Sequence, residues 1–193
     1  MFSKGMTFLL IFKVILQKRK RVMAFLQKQV VSLHLEKQFV MQNPPDYRHD
    51  TVLPLPMEVT ADAWAVDAGC SGNPGPMEYQ CIDLATGERV FHFGPMKGTN
   101  NIGEFLAIVH ALALCWQRGL HNKTIYSDSY NAILWVQKRK CKTKLEHTPE
   151  TEHLYNILFR AEQWLLTHDY HNPIIKWKTS KWGEIPADFG RKK

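Results

Sequence analysis

The chain has 193 residues, with 25 Lys and Arg against 18 Asp and Glu, and a formal net charge of +7. A composition of 45% hydrophobic and 22% charged residues excludes wholesale disorder, and the length allows one ordinary domain with a real core plus an extension. Residues 1–50 carry nine of the basic and three of the acidic residues, so nearly all of the excess lies in the first quarter. Any basic surface beyond residue 50 must therefore be local.

In chain order, Met6–Leu16 is apolar but short, and Lys13 interrupts it. A spanning helix needs about 20 apolar residues. The following Gln17–Arg21 reads QKRKR where a signal peptide would carry small residues. The segment is expected to be an unstructured leader, or to precede a true start at Met23; a surface anchor is the alternative, and membrane contact is not expected. Asn43–Pro56 holds Pro44, Pro45, Pro54 and Pro56 and reads as a linker. The expected division is a poorly ordered basic leader and linker over 1–56 and a folded domain over 57–193.

Strands are expected at Ala61–Ala68, Glu78–Leu84 and Arg89–Pro95, the last two joined by the hairpin turn Ala85–Glu88. A helix follows over Asn101–Arg118, where Phe105, Ile108, Val109, Leu112 and Trp116 share one face. Then come a strand at Lys123–Ser127, a helix at Tyr130–Arg139 and a long helix at Pro149–Leu166, with apolar Leu154, Ile157, Leu158, Ala161 and Leu165. Thr148, Pro149 and Glu150 supply its N-cap, first-position proline and acidic first turn. A strand at Ile174–Thr179 and a short helix close the chain. Three meandering strands followed by helix-connected ones imply an α/β fold with a mixed sheet, antiparallel and then parallel.

Cys70, Cys81, Cys115 and Cys141 form no CxxC pair, and the nine histidines form no HExxH. A zinc site is not supported, and the thiols read as reduced, as in a cytoplasmic protein. Four carboxylates stand near the ends of expected elements: Asp67, Glu104, Asp128 and Asp188. Singly, each has an ordinary explanation as a turn, cap or helix first-turn residue. Their neighbours make them a set. These are Asp67–Pro76 (DAGCSGNPGP), Thr99–Glu104 (TNNIGE), Ser127–Ser129 (SDS) and Ala187–Lys192 (ADFGRK).

In that order the four segments resemble type 1 ribonuclease H, over about Ala61–Lys193. The resemblance implies a ribonuclease H-like fold with a five-stranded mixed sheet flanked by helices. It also implies endonucleolytic hydrolysis of RNA paired to DNA, leaving 5′-phosphate and 3′-hydroxyl ends. Asp67, Glu104, Asp128 and Asp188 would be the catalytic metal ligands, with Asp67 bridging, Glu104 and Asp128 on one ion and Asp188 on the other.

The chemistry agrees with this assignment. Carboxylates about 4 Å apart repel by roughly 1–4 kcal/mol, so gathering four of them calls for divalent cations. Hard oxygen ligands suit two Mg²⁺ ions, or Mn²⁺. Many family members carry a histidine in the loop before the last Asp. Here Lys178–Ala187 has none, and the chain is closer to a bacterial subclass with Glu at that position. Glu184 would then assist product release or metal exchange.

The resemblance further assigns Asn73, Asn100 and Asn101, with the Cys70 backbone, to the RNA 2′-hydroxyls. Thr99, Thr143 and Thr179 are assigned to DNA phosphates and Trp135 to a deoxyribose. Turn and cap chemistry would equally explain the asparagines. Lys138, Arg139, Lys140, Lys142 and Lys144 place five basic residues in seven, as in a protrusion that straddles the DNA strand. The expected partner is an RNA–DNA hybrid. No protein partner is implied, and a monomer is expected. The alternative is a non-catalytic hybrid-binding module of the same fold, and another nuclease or transposase-like member is a third reading.

Overall fold

Strand β1 (Ala63–Cys70) is buried along nearly its whole length, and it forms the middle of the sheet. The computed structural model describes residues 47–48 and 50–190. The expectations for the leader, and for Arg191 and Lys192 of the last motif, lie outside those residues. β2 (Gly75–Asp83) pairs antiparallel with β1, and β3 (Arg89–Gly98) antiparallel with β2. β4 (Thr124–Ser127) pairs parallel with the other edge of β1, and β5 (Ile174–Lys176) parallel with β4. The order is β3-β2-β1-β4-β5. This is the mixed sheet expected from the meander followed by helical crossovers.

Alternation along β1 divides two cores. Trp64, Val66 and Ala68 pack with Phe105, Ile108 and Leu112 of α1 (Asn100–Gln117) and with Leu154, Leu158 and Leu165 of α3 (Glu152–Thr167). α2 (Tyr130–Gln137) adds Ala132, Ile133 and Val136 to that core. Ala63 and Ala65 face a second core of Leu55, Val59, Tyr126, Trp177, Trp182, Ile185 and Ala187. Burying each large side chain contributes about 1.5–3 kcal/mol.

Several boundaries differ from expectation, each for a local reason. Chain ahead of Met57 already packs with the domain. Leu55 is 1% exposed in the second core, and the Arg48 N–H donates to its carbonyl at 2.7 Å. Trp116 belongs to the expected α1 face but is 44% exposed, whereas Cys115 is fully buried. The last turn of α1 thus faces the sheet one position earlier. Thr148 does not cap α3. Residues 148–151 form a turn, closed by the Thr151 N–H on the Thr148 carbonyl at 2.9 Å, and the helix starts at Glu152. β5 ends at Lys176 because the chain curls into the short helix α4 (Thr179–Trp182), which seats Trp182 in the second core.

Candidate active site

Val66 and Ser127 are partners in the parallel β1–β4 pair. The residues that follow them, Asp67 and Asp128, therefore emerge side by side. Asp128 is not a cap. That role falls to Ser129, whose Oγ accepts from the Ala132 N–H at 3.2 Å, while Ser127 Oγ accepts from the Ser129 N–H at 3.2 Å. Two serine hydroxyls thus bracket the aspartate and hold its backbone. Its carboxylate is left for another purpose.

Glu104 comes from α1, above the same strand end. It is the fifth residue of the helix, beyond the first turn in which the dipole favours an acid, so that explanation for it does not hold. Gly103 lets the helix approach. A Cβ there would lie 2.8 Å from Ala68 Cβ and 3.0 Å from Met77 Cγ. The TNN sequence divides the remaining work among consecutive residues. Thr99 Oγ1 accepts from the Ile102 N–H at 3.4 Å as the N-cap, and Asn100 Nδ2 donates to Glu104 Oε1 at 3.0 Å. The capping expected of an asparagine is done by the threonine.

Asp67, Glu104 and Asp128 each offer a carboxylate oxygen within 4.8 Å of the other two. Burial above all, and then the Asp128 carboxylate, push Asp67 up to about 8, against a hydrogen bond from the Ala68 N–H. Glu104 and Asp188 push it the same way. Asp188 is therefore near enough to act on Asp67, although it lies outside the close triad. It follows the turn closed by its own N–H on the Ile185 carbonyl at 2.8 Å, and its Oδ2 accepts from the Gly190 N–H at 2.9 Å.

The donor set fits a hard divalent cation. All three groups are carboxylates, and Asp128 Oδ1 is buried with no hydrogen-bond partner. A buried carboxylate oxygen left unpaired is costly unless a cation completes it.

Beside the glycine-rich turn lies a cleft of about 540 Å³. Of the expected substrate residues it gathers Asn73, Thr99, Asn101, Trp135 and Thr143. Asn73 Oδ1 accepts from the Asn100 N–H at 3.3 Å, which ties the two loops that form one wall. Gly75 makes the turn possible, since a Cβ there would meet the Ser71 carbonyl oxygen at 2.1 Å. Thr99 and Thr143 Oγ1 both accept a backbone N–H, the latter from Leu145 at 3.0 Å. Each hydroxyl thereby keeps its hydrogen for donation.

The cleft also takes in Lys97, Lys142, Lys144 and Thr148, of which sequence reasoning had placed only the two later lysines near substrate. Lys97 stands alone in a strand, and Thr148 looked like a cap, so neither carried a signal. The basic run is divided. Lys140 pairs with Glu162 at 2.5 Å and Arg139 with Asp169 at 3.8 Å, while Lys142 and Lys144 line the cleft. Cys70 at the end of β1 donates through Sγ to the Gly98 carbonyl at 3.6 Å, and Thr179 opens α4; neither lines the cleft.

Residues 81–170 match the model of a family described as reverse transcriptase-like. The β3-β2-β1-β4-β5 sheet has the strand order of a ribonuclease H-like fold. The fold is ribonuclease H-like. The matched segment, the sheet and the ordered acidic motifs together support a type 1 ribonuclease H assignment.

Among solved structures, the N-terminal RNase H domain of a Mycobacterium tuberculosis protein, fused to maltose-binding protein, is 19% identical. That match covers 60% of this chain and 86% of that one, with a TM-score of 0.36. LC11-RNase H1, isolated from compost by a metagenomic approach, is 18% identical over 60% and 82%, with a TM-score of 0.41. RNase H1 from Halobacterium salinarum is 20% identical over 61% and 87%, with a TM-score of 0.38. In this ribonuclease H-like fold, Glu184 is exposed on the loop between α4 and Asp188, outside the carboxylate triad.

Proposed function

We propose that the chain hydrolyses the RNA strand of RNA–DNA hybrids endonucleolytically, leaving 5′-phosphate and 3′-hydroxyl ends. The observation that carries this reading is the carboxylate triad, with its buried, unpaired Asp128 oxygen. Asp67 would hold both of two Mg²⁺ or Mn²⁺ ions, Glu104 and Asp128 one of them, and Asp188 the other. When bound, the ions supply positive charge that activates a water and offsets charge on the leaving 3′-oxygen.

The chain's own side chains orient the substrate. Asn73 and Asn101 offer short amides to the 2′-hydroxyls that distinguish RNA from DNA. Thr99 and Thr143 point O–H donors at DNA phosphates, Lys142 and Lys144 add charge, and Trp135 offers a face to a deoxyribose. Glu184, exposed on the loop before Asp188, would assist product departure. A structure of LC11-RNase H1 has been solved with an RNA/DNA hybrid, which is consistent with this choice of substrate class.

The test uses a labelled RNA–DNA hybrid beside duplex DNA and duplex RNA, with Mg²⁺ or EDTA. The expected result is cleavage of the RNA of the hybrid alone, lost in EDTA and lost in Asp128→Asn while hybrid binding remains. Binding without cleavage by the unmodified chain would make it a hybrid-binding module instead. Cleavage of duplex DNA would point to another nuclease of the fold.

A further inference from the structure

Three cross-strand neighbours share one face of the sheet: Asp67 of β1, Gln80 of β2 and His92 of β3 are successive register partners. Gln80 is 7% exposed, and nothing in the proposed chemistry uses it. Its Nε2 donates to the Ala187 carbonyl oxygen at 2.8 Å, across 107 positions of sequence. Ala187 is fully buried in the second core, and the next residue is Asp188. On the far side of Asp188, the Phe189 ring lies 6.1 Å from the ring of His92, which pairs through Nε2 with Glu78 Oε2 at 2.6 Å.

The closing segment, which has no regular structure after Trp182, is thus laid across the row that begins at Asp67. A loop carboxylate needs such support, because a donor displaced by a fraction of an ångström loses much of its value to a metal.

We propose that Gln80 is a positioning residue for Asp188. Its side-chain amide ties the closing segment to the sheet and so sets the place of the Asp188 carboxylate opposite Asp67. This rests on the reading of Asp188 as a metal ligand. The tether joins a rigid strand to a loop, and Gln reaches because β2 places it directly beside Asp67 in register. A shorter amide at this position would fall short of Ala187, and an apolar side chain of equal length would leave the buried carbonyl unpaired.

The experiment compares the full-length chain with Gln80→Met and Gln80→Ser. Metal-free hydrogen exchange reads the segment directly. The amides of Asp188 and Gly190 should exchange about tenfold faster in both variants, while those of β1 keep their protection. Mg²⁺ binding by calorimetry should weaken about tenfold, and the Mg²⁺ half-saturation of cleavage should rise with it, while KM for the hybrid holds. In the unmodified chain the Gln80 side-chain NH₂ should be slow to exchange by NMR, a measurement that does not depend on either variant folding.

Unchanged exchange at 188 and 190 with unchanged Mg²⁺ affinity, or a rapidly exchanging Gln80 amide in the unmodified chain, would overturn the tether. Asp188→Asn separates the two levels. If it shifts Mg²⁺ binding and the Gln80 variants do not, only the tether fails. If it leaves Mg²⁺ binding unchanged, the reading of Asp188 fails first.

Discussion

Asn100 and Glu104 lie one helical turn apart on α1, and the Asn100 amide nitrogen donates to Glu104 Oε1 at 3.0 Å. The bond restrains the Glu104 carboxylate, one oxygen of which lies within 4.8 Å of an oxygen of Asp67 and of Asp128. An asparagine that the family resemblance assigned to substrate therefore first serves a neighbouring acid.

Asn100→Ala should remove that restraint. A hydrogen bond to a charged group is worth about 1.5–3 kcal/mol, so kcat should fall by roughly tenfold to a hundredfold with a raised Mg²⁺ requirement. Because Thr99 supplies the cap, the melting temperature should change little. Steady-state cleavage across a Mg²⁺ series, with a thermal melt beside it, checks both halves.

The pH dependence of stability follows from Asp67, which is held up near 8 in the folded, metal-free protein against an ordinary value of 3.8. Between those values the folded state binds the proton and the unfolded state does not. The metal-free protein should therefore lose stability as pH rises from about 4 to about 8. Mg²⁺ should restore more stability at pH 8 than at pH 5, since it binds the deprotonated carboxylates. Asp67→Asn should flatten the metal-free dependence. Thermal melts in EDTA and in Mg²⁺ over this range test it, and a metal-free melting temperature that climbs with pH would contradict it.

Gly103→Ala adds one methyl where Ala68 and Met77 leave no room. Overpacking of this kind costs about 1–3 kcal/mol. The helix must lift from β1 and carry Glu104 with it, so Mg²⁺ binding should weaken along with stability. Denaturant unfolding and Mg²⁺ calorimetry on the same preparation would show the two losses together.

The basic run should separate functionally. Lys142→Ala with Lys144→Ala removes cleft charge, so the slope of log K against log salt for the hybrid should shrink by about 2. Lys140→Ala should alter that slope less and lower the melting temperature, because Glu162 is buried and would keep only the Cys141 N–H as partner. Binding isotherms at several salt concentrations distinguish the two groups of lysines.

By itself the sequence determined the strand meander, the three longer helices and the four carboxylates with their flanking motifs. Those features are local. Apolar spacing selects an element, and short motifs mark where its end turns. It did not determine that Trp116 turns outward while Cys115 turns in, because periodicity defines a stripe and only packing settles its edge. Nor did it place Thr148 in the cleft wall, end β5 at Lys176, or bring Leu55 into the core.

Most of all, it could not show how the acids meet. Asp67 and Asp128 come together through the Val66–Ser127 register, Glu104 through the close approach at Gly103, and Asp188 is held by a segment bonded to Gln80. Each of these contacts joins residues far apart in the chain. Such pairings are decided by the sheet's register and the packing of helices upon it, which exist only once the chain has folded.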